Sequence, residues 1–212
     1  MLQRGMNFRL RNGMSVILMS RRRGAPYNDQ VLENGTVLVY EGHDVPKNNG
    51  IKDPKKLDQA SQSPSGKLTQ NGKFLHAANA FKTGQQAPEP VRVYEKIKEG
   101  IWVFNGIFNL VDAWQESTKS RKVYKFKLSI AHLSARKISN EPNDILHTRI
   151  IPSSVKVEVY KRDKGQCVLC GSKDNLHFDH DLPYSKGGTS LTAANIRLLC
   201  ARHNLAKRAN IE

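Results

Sequence analysis

The chain has three cysteines, and all of them lie in one carboxy-terminal stretch. Cys167-x-x-Cys170 is followed thirty residues later by Cys200-x-x-His203. Two such turns can bring three thiolates and an imidazole onto one tetrahedral ion, the arrangement of a closed structural zinc site. With four protein ligands, that zinc has no open position for chemistry. A disulfide framework does not fit three cysteines. Between the two pairs stand Asp179 and His180, which have no place among the four zinc ligands. The stretch therefore divides into residues that build and residues that can react.

The reactive half resembles the HNH nuclease family, whose fold is a ββα-metal unit. The resemblance is carried by Asp179-His180, Pro183, Ser185-Lys186-Gly187-Gly188, Asn195, Leu199–Asn204 and Lys207, and by the approach Tyr160–Cys167. It covers residues 156–212. His203 stands where many members have a cysteine, and histidine is an ordinary zinc ligand. The resemblance implies that His180 is the general base and that Asp179 and Asn204 hold a catalytic divalent ion. It also implies that Asn195 braces the loop between strand and helix. Phosphodiester hydrolysis needs a base that titrates near neutrality and a cation that polarises the phosphate. Two hard oxygen ligands suit Mg2+ or a similar ion. Asp181 is kept as an additional or alternative ion ligand, and His177 is read as a surface or packing residue. Lys186 and Lys207 can reach phosphates or simply be solvated.

These residues need a scaffold, and the chain is longer than they require. It has 212 residues, 34 Lys and Arg against 19 Asp and Glu, and a net charge of +15. The excess is spread over both parts, +11 for residues 1–155 and +4 for residues 156–212. A basic surface of this extent fits a polyanionic partner and exceeds what solubility requires. No apolar stretch is long enough to cross a bilayer. The short run Met14–Met19 precedes its arginines, the reverse of a secretory signal. A cytoplasmic, intracellular protein is expected, with no membrane partner.

The first 155 residues read as short strands separated by polar loops: Ser15–Met19, Thr36–Tyr40, Val91–Glu95, Phe108–Trp114 and Val123–Ser129. Gly72–Lys82 reads as a helix with Phe74, Leu75, Ala78 and Phe81 on one face, and Lys47–Ser65 as a long loop. Trp102 and Trp114 are read as core. This part resembles SRA (YDG) domains, PUA-like β-barrel modules that bind DNA containing modified cytosine. The name-giving tripeptide stands here as Phe104-Asn105-Gly106 within Trp102–Trp114. Val91-Arg92-Val93-Tyr94, the basic strand Arg121–Leu128, Tyr27-Asn28-Asp29 and Val37–Gly42 follow in the family's order. The resemblance implies a pocket for a base rotated out of the duplex. Tyr27 and Tyr40 would sandwich the base, and Asp29 would meet its Watson–Crick edge. Glu41 stands where the family often has a small hydroxyl residue. The Arg21-Arg22-Arg23 run is open between a phosphate contact and a solvated face.

The expected architecture is α+β. An SRA-like β-barrel domain over 1–133 is followed by a linker over 134–154, rich in turn signals, and a zinc-containing HNH domain over 155–212. Ser153 or Ser154 is expected to cap a helix entering the first zinc turn. The function expected is a prokaryotic endonuclease that captures 5-methylcytosine or 5-hydroxymethylcytosine in double-stranded DNA and cuts nearby. One HNH site cuts one strand, which favours a homodimer. Two alternatives stand beside it. The amino-terminal domain could read phosphorothioate or a modified adenine, or clamp DNA nonspecifically. The chain could also be a DNA-binding module without catalysis.

Overall fold

The computed structural model describes residues 5–10, 13–22, 24–47, 51–98, 101–131, 151–183 and 187–207. The chain divides into two compact units, 1–138 and 139–212. Residues 134–150 of the expected linker, and also Arg23 and Lys186, lie outside the described residues.

The amino-terminal unit is one seven-stranded sheet with a single long helix. Its strands are β1 (Met6–Asn7), β2 (Ser15–Met19), β3 (Gln30–Leu32), β4 (Val37–Glu41), β5 (Glu89–Lys98), β6 (Ile101–Ser117) and β7 (Lys122–Ile130). The order is β1-β2-β5-β6-β7-β4-β3. Only β2 and β5 run parallel; the other pairs are antiparallel. The sheet curls so that its flanks meet. Asp29 Oδ2 accepts from the backbone N–H of Ser20, just past β2, and Oδ1 accepts from that of Glu41 at the end of β4. These strands lie next to the two opposite edges of the sheet. Gly5, beside β1, comes so near β4 that a Cβ on it would lie 2.7 Å from the Tyr40 hydroxyl.

Helix α1 (Gln70–Lys82) is capped by Thr69, whose hydroxyl accepts from the Gly72 N–H. The cap supplies one of the acceptors that a helix start lacks. Phe74, Ala77 and Ala78 are buried. Phe74 meets Phe8 and Phe126 edge to face. β2 occupies the expected span, and β4 is displaced from its expectation by one residue. β6 runs far beyond the expected Phe108–Trp114, because its early half pairs with β5 alone. The loop expected over Lys47–Ser65 contains one 3-10 turn, Pro54–Lys56, among its described residues.

The carboxy-terminal unit holds α2 (Ser153–Arg162), a hairpin of β8 (Leu176–His180) and β9 (Ile196–Cys200), and α3 (Ala201–Lys207). The order β8-β9-α3 is a ββα unit. Helix α2 starts at Ser153 with Pro152 as its N-cap, so neither expected serine is the cap. Proline's fixed φ suits a helix start, where a missing N–H costs nothing. Ile151, Val155 and Val159 pack on Ala193, Ile196 and Leu198. Arg162 fastens the end of α2 by donating to the carbonyls of Ala193 and Ile196 at 2.7 and 2.6 Å. Among the described residues no helix is long and apolar enough to cross a membrane.

Candidate functional sites

The four expected zinc ligands converge. Cys167 Sγ lies 3.4 Å and Cys200 Sγ 3.3 Å from His203 Nδ1, and the sulfurs of Cys170 and Cys200 are 3.8 Å apart. A tetrahedral zinc at ordinary bond lengths requires about 3.8 Å between sulfurs and about 3.6 Å between sulfur and nitrogen. The cluster therefore has the dimensions of a metal site. The two turns reach it by different routes. Gly171 N–H bonds the Cys167 carbonyl to close the first. The second is the junction of β9 and α3. Burial raises the Cys167 thiol, but neighbouring backbone N–H groups and the His203 ring outweigh it and draw it down to about 6. Such a thiol is ready to ligate as thiolate.

Beyond this cluster the hairpin presents Asp179 and His180 at the end of β8. Consecutive strand residues point to opposite faces, and each side chain here finds its own partner. His180 Nε2 lies 2.8 Å from Ser190 Oγ, a contact that fixes the ring's orientation. Asp179 Oδ2 accepts from the Lys207 ammonium at 2.5 Å, and the same ammonium donates to the His180 carbonyl. Lys207 is fully buried. This corrects its reading as a phosphate contact or a solvated residue, because α3 aims it back under the hairpin. Asn204 lies on the same helix, half-buried. Asp181 pairs with Arg197 at 2.7 Å, and His177 is exposed.

Asn195 straps the loop after β8. Its side chain accepts from the Leu182 N–H at 2.8 Å and donates to the carbonyls of Leu182 and Thr189. Gly188 completes the strap, since a Cβ there would lie 1.8 Å from the Leu182 carbonyl oxygen. Ser190, at the end of this loop, carries no signal in the sequence reading. Its spacing from His180 is visible, but its hydroxyl reaches the ring only because the loop folds back.

In the amino-terminal unit Tyr27, Asp29 and Tyr40 also come together, with an addition. Tyr27 and Tyr40 do not pair directly; each meets the ring of His43. The Tyr27–His43 rings are near-parallel with centroids 6.2 Å apart, and the Tyr40–His43 rings are edge-on at 6.4 Å. Tyr40 Oη lies 3.2 Å from His43 Nε2. Tyr40 is only 2% exposed and its ring meets that of His43, so its face is not open to sandwich a base as expected. Asn71, in the first turn of α1, holds the backbone of His43 through both its N–H and its carbonyl. Lys55 Nζ sits 3.8 Å from the centre of the Tyr27 ring, a cation–π contact. Burial, together with Asp44, raises the Tyr27 hydroxyl. Burial raises Tyr40 well above the usual range.

Asp29 is the seam described above. Burial pushes its carboxyl up to about 6, against the pull of its two backbone donors. Below it runs a set of charges, buried at Glu41, Arg121 and Lys125 and reaching the surface at Lys55. Arg121 donates to Asp44 at 2.5 Å and to Glu41 at 3.4 Å; Lys125 donates to Glu41 at 3.0 Å; Lys55 pairs with Asp44 at 2.9 Å. Burial works to raise Asp44, yet Lys55 and Arg121 hold it below the usual range. The strand read as basic thus spends Lys125 on Glu41 of the neighbouring strand and Arg121 on Glu41 and Asp44. Arg21 pairs with Glu95 at 3.2 Å, and Glu95 accepts from Asn105 at 3.0 Å. Asn105 is the extra residue of a β-bulge between β5 and β6, with Gly106 at φ 114°. Trp102, read as core, is 42% exposed. It lies on a part of β6 that β7 does not reach, so nothing in the sheet covers it.

Residues 1–132 match the family model of the SAD/SRA domain, and residues 167–209 that of the HNH endonuclease. The chain belongs to the SAD/SRA domain family and carries an HNH endonuclease domain behind it. It is a nuclease of the metal-dependent HNH class. Among curated proteins, none matches the chain. Among solved structures, the SRA domain of SUVH5 in complex with fully methylated CG DNA is 28% identical. That match covers 60% of this chain and 74% of the other, at a TM-score of 0.40. Arabidopsis thaliana SUVH6 with SAM is 19% identical over 60% of this chain and 20% of its own, at 0.34. The type IV phosphorothioation-dependent restriction endonuclease ScoMcrA is 14% identical over 94% and 51%, at 0.35.

Proposed function

We propose that the protein is a modification-dependent DNA endonuclease: the SRA domain takes a 5-modified cytosine into its pocket, and the HNH domain hydrolyses a nearby phosphodiester. The observation that supports this reading is the grouping of Tyr27, Asp29, Tyr40 and His43 in the SRA unit, in a chain whose HNH domain carries Asp179, His180 and Asn204. A base rotated from the duplex loses stacking, which an aromatic ring replaces at about 1–3 kcal/mol per base. Tyr27, the more exposed of the two tyrosines, offers that face. Asp29 supplies an acceptor for the cytosine amino group. Both its oxygens already accept one backbone N–H, and a carboxylate has lone pairs to spare.

At the HNH site, His180 takes the proton of the attacking water while Ser190 holds its ring. Asp179 and Asn204 would hold Mg2+ or a similar ion, which supplies charge to the phosphate and the leaving oxygen. An ion held by Asp179 would share that carboxylate with the Lys207 ammonium, which already bonds Oδ2. Zinc in the Cys3His cluster is structural. Two copies of the chain would be needed for one double-strand cut, each HNH site serving one strand. Arg21 and Arg22, the described members of the basic run, are the candidates for a phosphate contact, Arg21 while also paired with Glu95.

The test is cleavage, with Mg2+, of plasmids that are unmodified, 5-methylated or 5-hydroxymethylated at cytosine, with phosphorothioate and N6-methyladenine plasmids alongside. Selective cutting of one modified-cytosine plasmid is expected. Cutting confined to phosphorothioate or methyladenine DNA, or equal cutting of all, would overturn the modified-cytosine reading.

A further inference from the structure

We propose that the outer face of the β5–β6 hairpin is a second DNA-binding surface that takes unpaired nucleotides, separate from the base pocket. The pairing pattern makes this hairpin an arm. β2 runs beside β5 only as far as Glu95, and β7 begins to pair with β6 only at Phe108. Beyond those points β5 and β6 pair with each other, with one further bond from the Ala131 N–H to the Ile107 carbonyl. Cross-strand register then sets three pairs side by side on one face: Arg92 with Ile107, Tyr94 with Phe104, and Lys96 with Trp102. The positions alternate along β5, so their side chains share that face.

The resulting surface is a row of rings interleaved with cations. Tyr94 and Phe104 are in contact at 5.2 Å, and Lys96 Nζ lies 5.7 Å from the Trp102 ring. Phe104 is 50% exposed, Trp102 42% and Ile107 37%. Lys98, exposed, follows toward the tip. Glu95, the described carboxylate of the arm's outer half, is buried on the opposite face and paired with Arg21 and Asn105. An apolar protein partner has no use for lysines set between the rings, whereas a nucleic-acid strand needs both: phosphates for the cations and base faces for the aromatics. A closed duplex hides its base faces, so the fitting occupant is an unpaired stretch of DNA. A basic, aromatic arm of this kind would hold strand that is locally opened.

The experiment uses the full chain, a short fluorescein-labelled oligothymidylate and an unmodified duplex of the same length, at several salt concentrations. Trp102→Ala/Phe104→Ala should weaken oligothymidylate binding about tenfold or more while leaving the duplex unchanged. Lys96→Gln should lower the salt slope for the single strand by about 0.7. Oligothymidylate should quench tryptophan fluorescence in Trp114→Phe but not in Trp102→Phe, a readout independent of whether the double variant folds. Absence of quenching in Trp114→Phe, or equal losses on both probes, would overturn the proposal. So would a dimer, seen by sedimentation, that the double variant converts to monomer, since a second copy would then cover the face.

Discussion

The two units hold their sites in opposite ways. The amino-terminal unit has a continuous core of large side chains, including Phe74, Phe108, Phe126, Leu110 and Leu128. On it, loops are pinned by charges that come from far apart in the chain: Glu41 and Asp44 from one side, Arg121 and Lys125 from the other. The carboxy-terminal unit has a small core of six buried residues around Ile196 and Leu198, and a second cluster made of Cys167, Leu199 and Cys200. A domain of that size buries too little apolar surface to be secure alone. The difference teaches that the loops around Tyr27 and His43 are held by folding itself, whereas the ββα unit has a cluster with the dimensions of a metal site beside its small core.

Removing the metal tests that contrast most severely. Structural zinc in small domains contributes about 10–16 kcal/mol to folding. Chelation, or Cys200→Ala, should unfold the carboxy-terminal unit and end cleavage. Binding to modified duplex by the amino-terminal unit should persist; calorimetry and gel shifts on the same sample distinguish the two. Loss of both together would break the comparison.

His180→Ala should lower single-turnover cleavage by about 10²–10⁴-fold with both units folded and modified-DNA binding unchanged. Unaltered cleavage would remove His180 from its role.

Arg121→Met strikes the other side. It leaves Asp44 and Glu41 buried with part of their compensation gone, a change of the kind that costs about 3–5 kcal/mol. The melting transition of the amino-terminal unit should fall while that of the carboxy-terminal unit stays in place. A surface-like cost would mean the loops are held by packing rather than by charge.

The smallest effect concerns pH. Asp29, raised by burial to about 6, takes up a proton on folding between its ordinary value near 4 and that pH. Its contribution to stability is therefore present below about pH 4 and is lost as pH rises through about 6. Recognition runs the other way, because the acceptor is the carboxylate. Affinity for the modified duplex should rise about tenfold between pH 5 and pH 7 in the wild type and lose that dependence in Asp29→Asn. A flat profile in the wild type would take Asp29 out of base recognition.

Much of the carboxy-terminal site was legible because its parts are close in sequence. A Cys-x-x-Cys turn and a Cys-x-x-His turn need only local geometry to present their ligands, and Asn195 reaches a loop that ends six residues before it. The residues proposed for the pocket were legible only in their order along the chain. His43 joins Tyr27 and Tyr40 because Asn71, 28 residues later, holds its backbone, and no pattern in the sequence announces that.

By itself the sequence determined the Cys3His cluster, the strand-rich character of the first part, the helix over α1 and the pairing of an SRA-like with an HNH-like segment. Each follows from residue type, period or spacing over a short reach. Only the tertiary structure decided which charges face inward. Arg121, Lys125 and Lys207 look like DNA contacts in a chain of net charge +15, yet all three are buried against carboxylates. It also decided that Trp102 lies open on an arm. Burial depends on which strands stop short and which helices turn back, and those are contacts between residues distant in sequence.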